Sequence, residues 1–453
     1  MKKFLSALLC LTMLSSVLAG CSTGGSTSTS APDKTGAATT TVPAATTTTV
    51  PAATTTASET SGKAVEINIF INQPEYADAI GKLLAEYKTV KPNVTINYET
   101  TQSDYPTLLK AKLNSGDVPD IFASTSGKEI DVYKEYSLDL SDQPLMKTML
   151  PAIQAVMADS TGKGMYGLAI KGNYFGLIYN KALFEQAGIT KVPETMTELE
   201  AACVKLKAAG ITPFTSGLFE WWVYKHVFQH FLDASTTDVP GLIKKFESGE
   251  AKFSDYPELY NNFFAFMDLI KKYGDAKPLE TDLSAEIAAF ASGKAAMVTG
   301  QGAWIEADVL KIDPSIKIGF TGYPVSENAA QCQVITGSDQ ALRIYKDSKV
   351  LPEVLDFINW WYTSDYGKAW FTDIAGVLPP VATTKDSNFE IIKQGNASVA
   401  EKGSATLAII YSTDSFWTAF GQAMQEYVGG KADKDTTCAT IEAKWIEIDG
   451  AKS

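Results

Sequence analysis

Two adjacent tryptophans, Trp221 and Trp222, follow a segment of strand character and precede a helical pattern. Neighbouring side chains on a strand or a helix point in different directions, so the two rings cannot both enter one core. At least one ring is therefore expected to face a cleft or the surface, where it can cover the apolar face of a solute. Glu220, immediately before them, adds a carboxylate that accepts hydrogen bonds.

Polar side chains also stand at two other places where loops are expected. Asn72, Gln73 and Glu75 come directly after a strand pattern, and Asp339 lies in a Gly-Ser-Asp loop before an apolar run. Planar amides and carboxylates pair well with adjacent hydroxyls, so these four residues are candidate hydrogen-bond acceptors for a solute. The residue types predict binding chemistry, and no pair of acids stands in a recognisable catalytic motif.

Metal chemistry has little support in the sequence. His226 and His230 are four residues apart, a spacing that zinc sites on helices also use, but no Glu follows His226 and no third ligand stands nearby. A structural or surface role is expected for both. Cys203, Cys332 and Cys438 are not spaced as metal ligands, and no disulfide among them is predicted. We expect neither a metal nor a cofactor.

The elements that position these residues alternate along the chain. Residues 65–71 predict a strand, 75–87 a helix, 94–98 a strand, 105–113 a helix and 118–123 a short buried strand. Strands alternating with helices favour an α/β layer with a largely parallel sheet. Ligands of open α/β sheets bind beyond the carboxyl ends of the strands, which is where Asn72, Gln73 and Glu75 lie.

Later segments repeat the alternation. Thr195 and Glu198 have the spacing of a capping box, which opens a helix. Trp360, Trp361 and Trp370 lie in a C-terminal region of mainly helical pattern and are expected to pack inside a lobe. Asp120 is expected to have a structural role in a turn.

The first residues predict secretion and attachment to a membrane. Lys2 and Lys3 precede an uncharged, mostly apolar run that is too short to span a bilayer, which is typical of a signal peptide over residues 1–20. The run ends in Leu-Ala-Gly-Cys, which resembles a bacterial lipobox. That resemblance implies cleavage before Cys21, addition of a diacylglycerol and acyl chains to this cysteine, and a protein held at the outer face of the cell membrane.

Composition divides the rest of the chain into a tether and a folded part. Residues 21–63 are almost entirely Ser, Thr, Ala, Gly, Val and Pro, and they predict a disordered tether because they offer little to a core. Residues 64–453 are too long for one typical core and suggest two lobes. The formal net charge of −13, without a basic cluster, argues against nucleic acid as a partner.

Several short motifs, taken in order, resemble one family. They are SGDVPDIFA at 115–123, YGLA at 166–169, LIYNKALF at 177–184, FASGKAAMV at 290–298, GAW at 302–304 and VLPP at 377–380. Their order and spacing resemble the extracellular solute-binding proteins of ABC transporters, in the sugar-binding group similar to maltose-binding protein. The resemblance implies a type II periplasmic-binding-protein-like α/β fold with a ligand cleft between two lobes. By analogy, lobe one is about 64–168 and 295–340, and lobe two about 169–294 and 341–453.

The same resemblance implies a function and two further site residues. Trp304, in the GAW motif, and Trp417 match tryptophans that stack on sugar. The chain is then expected to be a monomeric binding protein without catalysis. Its partners would be a mono- or oligosaccharide, the permease subunits of an importer, and the membrane through its lipid.

Two alternatives stay open at this point. A polyamine site would also use aromatic rings and acids, and another small solute is a related possibility. A secreted glycoside hydrolase needs two carboxylates that flank a bond, and the composition supplies many acids.

Overall fold

The computed structural model describes residues 63–383 and 385–450. The predicted signal peptide, Cys21 and the tether up to residue 62 lie outside the described residues. The strands are β1 (Val65–Ile71), β2 (Val94–Thr100), β3 (Ile121–Thr125), β4 (Leu168–Ala169), β5 (Asn173–Phe175), β6 (Leu177–Asn180), β7 (Thr212–Ser216), β8 (Ala295–Thr299), β9 (Ile318–Thr321), β10 (Ile335–Gly337) and β11 (Gln340–Ile344).

Helices fill most of the connections between these strands. They are α1 (Ala77–Val90), α2 (Tyr105–Ser115), α3 (Lys128–Val132), α4 (Pro151–Met157), α5 (Lys181–Gln186), α6 (Met196–Ala208), α7 (Trp221–Ala234), α8 (Val239–Ser248), α9 (Phe264–Tyr273), α10 (Leu283–Ala291), α11 (Glu306–Ile312), α12 (Leu351–Thr363), α13 (Asp365–Ala369), α14 (Glu390–Lys402), α15 (Asp414–Val428) and α16 (Lys434–Lys444). In the part of the chain described, no helix has both the length and the apolar character needed to cross a bilayer.

The first lobe is built on a five-stranded sheet in the order β2-β1-β3-β11-β4. β1 pairs in parallel with β2 and β3, whereas β11 runs antiparallel to both β3 and β4. The alternation in β1 buries Ile67 and Ile69, and α1 covers the sheet with Ile80 and Leu83. The predicted helix over 75–87 is present but begins after a short turn that Pro74 opens.

The second lobe is built on a four-stranded sheet in the order β7-β8-β6-β9. β7 and β8 are parallel, and β6 is antiparallel to β8 and β9. The hydroxyl of Thr195 accepts a hydrogen bond from the Glu198 N–H, as the capping pattern predicted, while the Glu198 carboxylate accepts from Glu194 N–H. The predicted α/β two-lobed class is confirmed, but the sheets are mixed rather than largely parallel, because crossover segments enter them in reverse.

The strand pairing corrects the predicted division of the chain between lobes. Residues 295–299 and 318–321, assigned by analogy to lobe one, pair in the sheet of the second lobe. Residues 340–344, most of which were assigned to lobe two, pair with β3 and β4 of the first lobe. The helices at 351–374 also belong to the first lobe, where Trp370 Nε1 donates to Ala79 O at 2.7 Å. The chain therefore crosses between lobes after β4, after β9 and after Ile374.

Tryptophans fill the cores of both lobes. Trp361 and Trp370 are fully buried in the first lobe, with ring centroids 5.0 Å apart, and Trp360 stacks on Tyr366 at 6.0 Å, so the predicted packing role of all three is confirmed.

The three cysteines at 203, 332 and 438 are free and buried.

Arg343, the only arginine in the sequence, is fully buried in the first lobe. Its guanidinium donates to Tyr166 O at 2.8 Å, to Glu129 O at 2.7 Å and to Ile130 O at 3.0 Å. A fourth hydrogen bond, 3.0 Å long, goes to the hydroxyl of Ser124. This side chain therefore joins β11 to β3, to α3 and to the segment before β4.

We expect Arg343→Met to lower the free energy of unfolding by roughly 3 kcal/mol or more, because two buried carbonyl oxygens and the partly buried carbonyl oxygen of Tyr166 lose their donor. Urea unfolding followed by circular dichroism measures the change. Lys317→Met, at an exposed position, is the control and should stay within about 0.5 kcal/mol of the original protein. Equal effects of the two substitutions would contradict the structural role of Arg343.

Candidate functional site

A narrow cavity of about 50 Å³ lies where the carboxyl ends of strands from both sheets meet. Loops after β1, β2 and β3 line it from the first lobe, and the loop after β8, the start of α7 and the start of α15 line it from the second. The lining residues are Asn72, Gln73, Glu75, Gln102, Pro106, Thr125, Lys171, Trp221, Trp222, Lys225, His226, Trp304, Asp339, Gln340 and Asp414. We call this cavity the cleft.

The cleft brings together seven of the nine site residues predicted from the sequence. They are Asn72, Gln73, Glu75, Trp221, Trp222, Trp304 and Asp339. They are up to 267 positions apart in the chain and come from both lobes. The strand-end rule located Asn72, Gln73 and Glu75. The other four were predicted from the adjacency of Trp221 and Trp222, from the loop that holds Asp339, and from the family resemblance of the motif around Trp304.

Trp304 is held rigidly at one wall of the cleft and is 5% exposed. Its ring centroid lies 5.5 Å from Phe175 and 5.6 Å from His226, in edge-to-face contacts. A side chain at Gly302 would collide with the Trp304 ring and with the carbonyl oxygen of Tyr174. Gly302, two residues before this tryptophan, therefore allows the ring to fold back against its own loop.

Trp221 and Trp222 both contribute to the cleft, from the first turn of α7. Trp221 is half-buried, and its Nε1 donates to Ser103 O of the first lobe at 3.3 Å. Trp222 is buried, with its ring 5.3 Å from the His226 ring. The expectation that the pair could not both enter a core agrees with these positions.

Glu220 and Trp417 do not line the cleft. Glu220 is buried just behind it, where its carboxylate accepts a hydrogen bond from the Ser103 hydroxyl, and burial raises its pKa. Trp417 is fully buried in the second lobe, where its Nε1 donates to Ile409 O at 2.8 Å. Its ring packs 5.5 Å from Phe420. The stacking role predicted for Trp417 is corrected to a core role, because its helix turns this side chain inward.

Lys171 lines the cleft and was not identified from the sequence. Its ammonium lies 3.8 Å from Glu75 Oε1, 5.1 Å from the Trp304 ring centroid and 5.4 Å from that of Tyr76. The side chains of Lys171 and Glu75 are each only 6% exposed. Its position two residues after β4, at a strand end, was the available signal.

Burial raises the pKa of Glu75 to about 7, although the Lys171 ammonium opposes this rise. The carboxylates of Asp339 and Asp308 raise the pKa further. The Glu75 carboxylate is therefore buried near one cation that stabilises its negative charge and two anions that destabilise it. Its charge changes close to neutral pH.

Lys225 and His226 also line the cleft, one helical turn after Trp221 and Trp222. That spacing of four residues was a further signal in the sequence, because it puts side chains on the same face of a helix. His226 Nδ1 is 2.9 Å from Gly300 O, and burial together with Lys225 lowers its pKa well below the usual range, so the ring is neutral. Among the described residues no group of three or more His, Cys, Asp or Glu side chains could hold a metal ion.

Asp414, at the start of α15, joins the two lobes. Its Oδ1 accepts from the Thr125 hydroxyl at 2.7 Å, and the Lys225 ammonium lies 3.4 Å away. Its N–H donates to the Glu129 carboxylate at 2.8 Å. The two walls of the cleft are therefore in contact through Asp414.

Five oxygen atoms in the wall of the cleft are buried and have no hydrogen-bond partner within residues 63–383 and 385–450. They are Gln73 Oε1, Glu75 Oε2, Gln102 Oε1, Asp339 Oδ1 and Gln340 Oε1. Such orphaned acceptors are rare in folded proteins and each has an energetic cost. A cluster of them beside tryptophan faces suits a ligand that carries several hydroxyl donors and an apolar face.

The chain is similar to known bacterial proteins over much of its length. The family model for bacterial extracellular solute-binding proteins matches residues 72–368. The melibiose/raffinose/stachyose-binding protein MelE of Bacillus subtilis is 24% identical over 310 residues, which cover 67% of this chain and 71% of that protein. The multiple sugar-binding protein of Streptococcus mutans is 25% identical over 375 residues, which cover 80% and 87% of the two chains.

The fold also matches solved structures. A chitin oligosaccharide binding protein superposes with a TM-score of 0.74 at 20% identity, over 86% of this chain and 100% of that one. At this level of identity the similarity establishes the two-lobed fold.

The raised pKa of Glu75 predicts a pH dependence of stability. The folded state keeps a proton on Glu75 that the unfolded chain releases between its ordinary pKa of 4.5 and about 7, so stability falls as the pH rises through this window. Relative to Glu75→Gln, the original protein should lose roughly 2 kcal/mol of unfolding free energy between pH 5 and pH 8.

Urea unfolding of the sugar-free proteins at four pH values measures this difference. Glu66→Gln, at an exposed position of β1, is the control, and its difference from the original protein should not vary with pH. A constant difference for Glu75→Gln as well would contradict the environment described for Glu75.

Proposed function

The chain belongs to the family of bacterial extracellular solute-binding proteins, and from that premise we propose that it captures a carbohydrate in the cleft and delivers it to the permease of an ABC importer. Members of this family bind solutes and are not enzymes, in agreement with the expectation from sequence. The glycoside hydrolase alternative is therefore set aside. The observation that carries the choice of carbohydrate is the cluster of five unpaired acceptors beside tryptophan faces.

A sugar supplies the hydrogen-bond donors that the unpaired acceptors in the wall of the cleft lack. Its hydroxyls donate to carboxylate and amide oxygens, and its C–H face packs against a flat ring. Gln73, Glu75 and Asp339, on the first lobe, would accept hydrogen bonds from the sugar hydroxyls. Trp304, on the second lobe, would pack against the C–H face of the sugar. The names of the two relatives, which bind sugars, support the same class of ligand.

The polyamine alternative is weakened by the cations already in the cleft. The Lys171 ammonium lies near Glu75, and the Lys225 ammonium lies near Asp414, so two of the three acids that line the cleft have a cation beside them. A ligand with several ammonium groups would have to approach these lysines in a poorly solvated space. A neutral polyol avoids that repulsion.

Closure of the lobes is expected from the distribution of the contacts. Because the acceptors and Trp304 stand on different lobes, only a closed form presents both to one sugar. A ligand that binds the closed form more tightly shifts the population toward it. The three crossovers are the segments about which such a motion would turn.

We further propose that a lipid on Cys21 keeps this receptor at the outer face of the cell membrane, where residues 22–62 form the tether. The supporting features are the charged start, the apolar run and the lipobox-like residues before Cys21. A monomer delivering its sugar to separate permease subunits is the simplest assembly.

A thermal-shift screen tests the ligand class. Melibiose, raffinose, stachyose and chitin oligosaccharides should include at least one compound that raises the Tm, since a ligand at 100 times its Kd adds about 2.7 kcal/mol to the stability. Putrescine and spermidine should leave the Tm unchanged. A rise with a polyamine, and with no sugar, would contradict the proposal.

Trp304→Ala should weaken binding of the sugar found in that screen at least tenfold, because the ring face that packs on the sugar is removed. Titration calorimetry measures the affinity. Trp360→Ala, a half-buried tryptophan on the outer helix of the first lobe, is the matched control and should bind the sugar normally. Unchanged affinity in Trp304→Ala would remove this residue from the site.

Cys21→Ala should abolish fatty-acid labelling of the protein in bacterial cells that make lipoproteins, because the proposed acceptor thiol is lost. Metabolic labelling with an alkyne fatty acid measures this. Cys438→Ala, a buried thiol in the second lobe, is the control and should stay labelled. Label that persists in Cys21→Ala would contradict the anchor.

A further inference from the structure

Two loops of the second lobe lead to the three tryptophans of the cleft. Trp221 and Trp222 follow the loop after β7, and Trp304 follows the loop after β8. The two strands are parallel neighbours in the sheet, so their loops leave it side by side. The distance and angle between the tryptophan faces therefore depend on how the two loops are fixed to each other.

A buried carboxyl group, that of Glu286 on α10, contacts both loops. Its Oε2 accepts a hydrogen bond from Gln301 Nε2 of the β8 loop at 2.6 Å. On the β7 side, the Gly217 N–H hydrogen-bonds to the same carboxyl group, and a Cβ at Gly217 would lie only 2.9 Å from Oε2. Glu286 and Gln301 are both fully buried, and neither lines the cleft.

The path from this carboxyl group to each tryptophan is short and ordered. In the β7 loop, the Glu220 N–H donates to Gly217 O at 3.0 Å, and α7 begins at the next residue. In the β8 loop, Gly300 O lies 2.9 Å from His226 Nδ1 of α7, so this loop also packs on the helix that carries the tryptophan pair. A shift at Gly217 or Gln301 therefore moves the tryptophan that follows it.

Glu286 is held as a neutral acid. Burial raises its pKa well above the usual range, against the hydrogen bonds from Gly217 and Gln301, and the carboxylates of Asp275 and Glu220 add to the rise. A neutral acid holds the loops by shape and hydrogen bonding and not by charge. Glutamine has the same length and keeps a side-chain oxygen for the two donors, so it can stand in for this acid.

The polar contact has a cost that an apolar contact would avoid. Glu286 Oε1 and Gln301 Oε1 are buried and have no hydrogen-bond partner in the part of the chain that the structure describes. Unpaired acceptors of this kind destabilise a core. Well-packed apolar side chains would fill the space without this cost, so packing alone does not account for the pair.

We propose that Glu286 is a positioning residue of the binding site, which fixes the β7 and β8 loops relative to each other and so sets the arrangement of the three tryptophans. This inference rests on the proposed carbohydrate site and adds a residue that acts on the sugar only through other residues. Loss of the side chain releases both loops together, because the same carboxyl group contacts Gly217 and Gln301.

Fluorine NMR of the sugar-free protein labelled with 5-fluorotryptophan tests the positioning directly. The eight tryptophans of the sequence give separate resonances, which single Trp→Phe substitutions assign. In Glu286→Ala, the resonances of Trp222 and Trp304 should shift or broaden, while those of Trp361 and Trp370 in the first lobe should not change. Glu286→Gln should keep the original spectrum.

Titration calorimetry with raffinose, stachyose and chitotetraose measures the consequence for binding. Glu286→Ala should weaken binding roughly tenfold for each of these sugars that the original protein binds, and Glu286→Gln should bind like the original protein. Glu442→Ala, on α16 of the same lobe, is the control. Its carboxylate also accepts a backbone hydrogen bond, from the Phe253 N–H at 2.7 Å, but it lies outside the cleft and its loss should leave sugar affinity unchanged.

The possible results separate the two proposals. If the original protein binds no sugar, the carbohydrate function fails, and the fluorine spectra alone decide whether Glu286 positions the tryptophans. Unchanged resonances of Trp222 and Trp304 in Glu286→Ala, or an unchanged affinity for a sugar that binds, overturn the positioning role. Equal shifts of all eight resonances also overturn it, because Glu286 would then act on the whole fold. An equal loss of affinity in Glu286→Gln and Glu286→Ala contradicts the role of hydrogen bonding.

Discussion

Buried hydrogen-bond acceptors without partners are the constraint on which the cleft depends. A buried polar atom that loses its partner costs about 1–3 kcal/mol. Gln73, Glu75 and Asp339 each have such an oxygen, and all three residues line the cleft. A ligand that donates to all of them removes several of these costs together. Because these acceptors lie on the first lobe and Trp304 lies on the second, such a ligand contacts both only when the lobes are closed.

Rigid support surrounds these acceptors. Trp304 cannot move far because Phe175 and His226 pack against it and its loop folds back at Gly302. The crossovers are tied to each other, since the Ser338 hydroxyl donates to Lys171 O at 2.6 Å. The site is therefore preorganised within each lobe, and the freedom that remains lies between the lobes. A site of this kind binds a solute selectively and does not react with it.

The sequence predicted the α/β class and most of the cleft because strand ends and adjacent tryptophans obey local rules. One strand pattern was enough to predict the position of Asn72, Gln73 and Glu75, because they follow its carboxyl end whatever strands pair with it. The roles of Trp417 and Lys171 depended on tertiary packing, since a tryptophan on a helix faces either a core or a cleft according to what covers it. The predicted lobe boundaries were wrong for the same reason, because β8 and β11 join sheets whose other strands are far away in the chain.

The most direct test of the proposed binding mode is a crystal structure of the protein with a bound oligosaccharide. We expect a sugar ring against Trp304, with hydroxyls about 2.7–3.0 Å from the oxygens of Gln73, Glu75 and Asp339. A sugar bound elsewhere on the protein, with those oxygens still unpaired or turned away from it, would contradict this binding mode.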